Sequence, residues 1–315
     1  MKYIGGIKMA RRNRNKKKRS SKLSIFFKTL VIFILIFGAA GFFILNRMDN
    51  IQISKDDKNL GITIDTKDSK SNKVTNILLL GLDREHSGQN ARSDSIMIAS
   101  VDKKHKKIKL TSIMRDTYVD IEGRGMDKIG HAYAFGGPEL SIKTVNQNFD
   151  MNIRDFFAID FSGFESIIDS MGGVEIDVKP NEVSHVKVNN PGTQTLNGKQ
   201  ALAYSRIRKT GDGDYERTER QRVVLEKMLN KSMNLGVTKY PGLLNETLPY
   251  VDTSLSKMDI LSLGTNVARS NIKDIEQYRI PVDGYLEHRM INGIFYIEPV
   301  SLEDNISLLK DFIYE

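Results

Sequence analysis

Hydrophobic and polar positions divide this chain into three stretches. From Thr29 to Leu45, in TLVIFILIFGAAGFFIL, no charged residue occurs. Residues 46–73 contain no aromatic residue and are rich in Asp, Lys, Ser and Asn. From Val74 onward, apolar runs of strand length alternate with amphipathic segments. Ile77 to Leu80 is continuously apolar and predicts a strand covered on both faces. Ser95–Val101 and Lys107–Met114 predict the next two strands, joined by the charged turn 102–106. Gly137-Pro138-Glu139 opens a helix, with Pro at a favoured first position. Phe156–Asp160 reads as a strand. Ser162-Gly163-Phe164-Glu165 has the spacing of a capping box, and Gly172-Gly173 stops the helix that follows. Val174–Val178 is a further strand. Asn197 caps a helix through Tyr204, and a longer helix covers Asp214 to Leu235. The last third predicts strands near Ile275–Ile280 and Gly293–Ile297 and a final helix. The pattern is α/β, a single mixed β-sheet core flanked by helices.

Charge changes the picture at the N-terminus. Of 47 Lys and Arg, 12 fall in residues 1–48, which hold no acid, so the remaining 267 residues carry 35 basic against 39 acidic. The net charge of +8 therefore belongs to the N-terminus, and nucleic acid is not an expected partner. The apolar run extends back to Leu23 if Lys28 snorkels. Its 17 to 23 residues match one bilayer core. The expected organisation is a basic cytoplasmic tail over 1–22 and a single-pass transmembrane helix over 23–45. An extracytoplasmic stalk follows over 46–73, then a catalytic domain over 74–315. A cleaved signal peptide is the rival reading, but Ala39-Ala40-Gly41 lies inside the apolar run. The absence of cysteine excludes a disulfide scaffold and a thiolate zinc site.

Candidate chemistry gathers at one predicted sheet edge. Asp83 ends the first strand, Asp94 begins the second, and Arg115 and Asp116 end the third. Up-down-up strands bring these ends together, with Arg84 and Arg92 on the loop between. Magnesium takes one or two carboxylates and completes its shell with water and phosphate, and the guanidinium fork matches phosphate oxygens. In a second cluster, Arg206 and Arg208 alternate, so an extended backbone aims both the same way. Arg217 and Gln221 stand four apart on the next helix, with Arg220 nearby, and Val224, Leu225 and Met228 continue that face. This predicts a polar pocket above an apolar core. Arg222 lies off the face and reads as a solvated, salt-bridged residue. No HExxH, GxSxG or Walker motif occurs.

With these residues in view, the sequence strongly resembles the LytR-CpsA-Psr family of cell-envelope proteins. ILLLGLD at 77–83, RSDSIMIAS at 92–100, SIMRDTYVDI at 112–121, KIGHAYAFGGPEL at 128–140, DFSGFESIIDSMGGVEIDV at 160–178 and LNGKQALAYSRIRK followed by GDYERTERQR carry the likeness. The resemblance implies transfer of a glycopolymer, such as teichoic acid or capsular polysaccharide, from a polyprenyl pyrophosphate carrier to peptidoglycan. It implies Asp83 and Asp94 as ligands of Mg2+ (or Mn2+) and as catalytic residues with Arg115. It implies Arg92, Arg115, Arg206, Arg208, Arg217 and Gln221 as pyrophosphate ligands. Three positions depart from the family pattern: Arg84 directly after Asp83, Met114 in place of Pro, and Gly130 in place of Asn. A polyprenyl pyrophosphate hydrolase and a non-enzymatic regulator of the envelope stay open as rivals.

Overall fold

The computed structural model describes residues 51–63, 74–84, 91–208, 213–234, 247–269, 272 and 274–315, all within a compact unit, Ile44–Glu315. Its strands are β1 (Val74–Asp83), β2 (Arg92–Asp102), β3 (Lys107–Ile113), β4 (Tyr118–Ile121), β5 (Gly125–Lys128), β6 (Asp155–Asp160), β7 (Val174–Val178), β8 (Gly192–Leu196), β9 (Val251–Thr253), β10 (Asp274–Ile280), β11 (Leu286–Ile291) and β12 (Ile294–Pro299). Its helices are α1 (Ala132–Phe149), α2 (Phe161–Ser170), α3 (Val183–Val186), α4 (Gly198–Ser205), α5 (Asp214–Met233), α6 (Lys257–Arg269) and α7 (Leu302–Tyr314).

Six strands form the central sheet in the order β10-β3-β2-β1-β6-β9, and three separate two-stranded pairs flank it: β4–β5, β7–β8 and β11–β12. The sheet is mixed. β1 runs antiparallel to β2, and β2 to β3, as the up-down-up reading requires. β1 is parallel to β6, and β3 to β10.

Alternation along the strands separates two faces. Leu78, Leu80, Leu82, Ile96, Ile98 and Ile113 bury one face with Ile142, Val145 and Phe149 of α1 and Leu309 and Ile313 of α7. On the other face, Val101, Ile108 and Leu110 pack with Leu225, Leu229 and Met233 of α5 and with Leu263 and Val267 of α6. A third cluster joins α2, α4 and α5 to β7 and β8 through Ile168, Ala201, Val224, Val174 and Leu196. Helices therefore cover both faces of the sheet, which is why β1 is a nearly unbroken apolar run.

Several local expectations change. α1 begins at Ala132, earlier than the Gly-Pro signal. It is interrupted at Gly136 and Gly137, where Gly137 adopts φ 63° and ψ −155°, a conformation open to glycine, and it resumes at Pro138. The cap of α2 is Asp160, whose side chain accepts from the Gly163 N–H at 2.8 Å, two residues ahead of the Ser162 signal.

The stalk expected over 46–73 is corrected in its described part, because residues 51–63 lie on the core. Leu60 is fully buried, and Ile51 and Ile53 pack against the same core cluster. The Leu60 carbonyl accepts from Asn146 Nδ2 at 2.8 Å, and Arg154 pairs with Asp57 at 2.7 Å. The transmembrane anchor is corrected too. Among the described residues no helix is long and apolar enough to cross a membrane. The basic tail over 1–22 and the run over 23–45, on which the single-pass topology rested, lie outside the described residues.

Candidate active site

A cavity of about 560 Å³ opens between the sheet and helices α2, α4 and α5. Its chemistry is divided. Asp83, Asp94, Arg115, Asp160, Arg206, Arg208, Arg217 and Gln221 supply polar side chains, and Leu79, Met97, Phe157, Phe164, Leu202, Leu225 and Met228 supply apolar wall.

The sheet edge positions the carboxylates by an irregularity that the sequence pattern conceals. Gly81 pairs with Ser95, but Leu82 pairs with Ser93, so Asp94 is the extra residue of a β-bulge. In a regular ladder Asp94 would oppose Leu82 and share its buried face. The bulge re-aims it, and both aspartates line the cavity. Arg115, just past β3, donates from Nη1 to Asp94 Oδ1 at 2.6 Å. Asp116 receives Lys128 Nζ at 2.7 Å and lies 3.5 Å from Arg115 Nε. Gly130 closes this corner. Its N–H donates to the Arg115 carbonyl at 3.0 Å, and a Cβ there would stand 3.0 Å from the Ser93 carbonyl oxygen. The departure to glycine thus permits a close approach of two backbones behind Arg115.

The second wall comes from α4, α5 and the segment between them. Asn197 and Gln200 form a full capping box at the start of α4. That helix ends at Arg206, whose guanidinium stacks on Phe161 at 4.4 Å. Ile207 is buried while Arg206 and Arg208 on either side of it are exposed, so the alternation aims both arginines at the cavity although the backbone is no strand. Arg220 braces this segment from α5. It donates to the Ile207 carbonyl at 3.2 Å, and pairs with Glu182 at 2.7 Å and Glu216 at 2.6 Å. Burial opposes the Arg220 charge, but the hydrogen bonds it donates to Glu182 and Glu216 outweigh it and hold its pKa above the usual arginine value. The nearby Tyr204 hydroxyl is pushed up to about 12, first by burial and then by the Glu182 charge.

Of the residues singled out by sequence, Asp83, Asp94, Arg115, Arg206, Arg208, Arg217 and Gln221 share one cavity. Arg92 is placed elsewhere: it is registered opposite Asp83, exposed, and not among the lining side chains. Arg84 is paired with Asp252 and lies 3.7 Å from Asp160. Arg222 is corrected, because it is buried rather than solvated. Its Nε donates to Gln277 Oε1 at 3.2 Å, and burial, against the Glu219 charge, lowers its pKa to about 10. Asp160 was missed as a lining residue. The signal for it was the Asx cap in DFSG, masked by the competing Ser162 box.

No cluster of three or more metal-ligating side chains occurs among the described residues. Magnesium needs fewer, and the donor set of Asp83 and Asp94 beside arginines suits a hydrated magnesium–phosphate unit.

The fold is thus an α/β protein whose cavity sets arginines and carboxylates beside an apolar wall. The chain is a member of the LytR_cpsA_psr family, whose model matches residues 44–308. It is 32% identical over 319 residues to the polyisoprenyl-teichoic acid–peptidoglycan teichoic acid transferase TagU of Bacillus licheniformis, covering 95% of this chain and 98% of that one. It is 34% identical over 250 residues to the regulatory protein MsrR of Staphylococcus aureus, covering 78% and 76%. Among solved structures it resembles the LytR-CPS2A-psr family protein YwtF (TagT) with bound octaprenyl pyrophosphate lipid. That match has a TM-score of 0.64 and 26% identity, over 83% of this chain and 99% of that one.

Proposed function

We propose that this protein is a phosphotransferase that moves an anionic glycopolymer, of the teichoic acid or capsular polysaccharide type, from a polyprenyl pyrophosphate carrier to peptidoglycan. The observation that carries the reading is the divided cavity. Four arginines, Gln221 and three aspartates adjoin Leu79, Met97, Phe157, Leu225 and Met228. A polyprenyl pyrophosphate has the same division, a charged head on an apolar chain. The kinship with TagU and with the octaprenyl pyrophosphate complex points the same way.

The chemistry is phosphoryl transfer. A peptidoglycan sugar hydroxyl attacks the phosphorus that carries the polymer. Its oxygen forms the new P–O bond, the bond to the bridging oxygen breaks, polyprenyl phosphate leaves with the electron pair, and the hydroxyl proton passes to the departing phosphate. Arg206, Arg208 and Arg217 bind the pyrophosphate oxygens, and Gln221 donates a neutral hydrogen bond to them. Arg115 neutralises charge as it develops, held in position by Asp94 and by the Gly130 contact with its backbone. Asp83 and Asp94 would hold Mg2+, or Mn2+, which supplies further charge neutralisation when bound. The apolar wall excludes water and strengthens each charge contact.

The test is binding of a polyprenyl pyrophosphate analogue by the full-length protein. Each charge-assisted contact is worth roughly 1.5–3 kcal/mol. The Arg206→Ala, Arg208→Ala double variant should therefore bind at least about a hundredfold more weakly, if the contacts add, with an unchanged melting temperature. Equal binding by both proteins would reduce these arginines to a surface network.

A further inference from the structure

We propose that the β11–β12 hairpin is a saccharide platform that seats the acceptor glycan beside the cavity, an inference that rests on the transferase reading above. The hairpin is tied to both walls of the site. On one side the Ile297 N–H donates to the Asp116 carbonyl at 2.9 Å, and Thr117 bridges to Ile297, immediately after Arg115. On the other, Tyr215 in the first turn of α5 reaches His288, with Oη and Nε2 2.9 Å apart, two residues ahead of Arg217.

Between these ties the hairpin presents a row of rings. Tyr215 and His288 have centroids 6.0 Å apart, and His288 and Phe295 have centroids 5.3 Å apart. Met290 opposes Phe295 in the ladder, so both share the His288 face. Phe295 is 39% exposed and Met290 65%. A contiguous apolar strip on a surface marks an interaction site. Here its edges carry a phenol and an imidazole, which suits a sugar ring: an apolar C–H face attracted to the negative face of an aromatic ring, rimmed by hydroxyls.

Charge decides between partners. Residues 283–299 hold Asp283, Glu287 and Glu298 against Arg289, and Arg279, paired with Asp283 and 4.4 Å from the Tyr215 ring, narrows the excess to a single acid. That excess of acid disfavours an anionic lipid surface and also the anionic polymer of the donor. The donor polymer belongs with the arginines, and the uncharged amino-sugar backbone of the acceptor belongs on the hairpin.

The test uses the full-length protein and a soluble oligomer of β-1,4-linked N-acetylglucosamine, with binding of a polyprenyl pyrophosphate analogue measured in parallel. Wild type should bind both. Phe295→Ala should weaken oligosaccharide binding about tenfold, the size of a lost ring stack together with its buried area. Phe295→Tyr should retain it, and Phe295→Leu should lose as much as Ala, because an apolar side chain without a ring cannot stack. Binding of the lipid analogue should be the same in all four proteins. Full oligosaccharide affinity in Phe295→Leu or Phe295→Ala would overturn the platform, as would lipid-analogue binding without any oligosaccharide binding in wild type. Phe295-dependent adhesion to phosphatidylglycerol vesicles would overturn it in favour of a lipid surface. Failure of wild type to bind the lipid analogue would instead strike the transferase reading itself.

Discussion

Arg220→Ala tests how the arginine wall is held. Arg220 and Glu182 have side chains 6% and 1% exposed and meet at 2.7 Å. Removing the guanidinium leaves Glu182 buried without its principal partner. Breaking a buried pair in this way costs about 3–5 kcal/mol, which for a domain of this size lowers the melting temperature by roughly 6–20 °C. The same change also releases the Ile207 carbonyl, the brace between Arg206 and Arg208. Binding of a polyprenyl pyrophosphate analogue should therefore fall even at temperatures where the variant is fully folded. Replacing both partners, as Arg220→Met with Glu182→Leu, removes the stranded charge, so most of the stability should return while binding stays low. Thermal and urea melts give the first quantity, and calorimetry with the lipid analogue gives the second. The reasoning is refuted if Arg220→Ala melts within 1 °C of wild type, or if the double replacement restores binding along with stability.

Other outcomes follow from single features. Arg222→Met should be neutral or stabilising by up to about 2 kcal/mol, since Arg222 Nη1 is buried without a hydrogen bond among the described residues and such a donor is costly; a marked loss in urea melts would show that a partner has been overlooked. Gly198→Ala should destabilise by about 1–3 kcal/mol, because its Cβ would fall 2.2 Å from the Glu165 carbonyl oxygen, and α4 would have to leave α2. Leu60→Ala should cost about 2–5 kcal/mol if residues 51–63 belong to the fold, whereas a solvated linker would give no change. Burial alone would raise the Asp127 pKa, but the His131 hydrogen bond and the Lys128 N–H bring it below the usual carboxylate value. A depressed pKa contributes stability at neutral pH that is lost only as pH falls through the folded value, below about pH 4. Asp127→Asn should therefore flatten the acid limb of a stability–pH curve, and identical curves would discount the pair.

The parts of this site that were legible in the sequence are those where a strong apolar signal ends in a charged residue. β1 to β3 were readable from continuous burial, which placed Asp83, Asp94 and Arg115 at one edge. The helical face of Arg217, Gln221, Leu225 and Met228 was readable from its period. The bulge at Asp94 was not, because Ser93 and Ser95 give no alternation to disturb. β11, in LEHRMI, escaped notice because its exposed polar residues lack a strand's pattern, and β9 is only three residues long. Arg222 was misjudged since periodicity reports the face a helix turns to its main core, not a second contact with β10. Residues 51–63 looked solvated because their few apolar residues are scattered among charges, yet Leu60 inserts fully.

Product analysis tests the central claim most directly. Purified full-length protein, magnesium, a polyprenyl pyrophosphate-linked glycopolymer and peptidoglycan are incubated together, and the lipid and wall fractions are separated. The account predicts polyprenyl monophosphate released in step with polymer joined to peptidoglycan through a phosphodiester, with both products absent in Arg206→Ala, Arg208→Ala. Polyprenyl phosphate released at the same rate without peptidoglycan, with the polymer left free in solution, would mark a hydrolase and contradict the account.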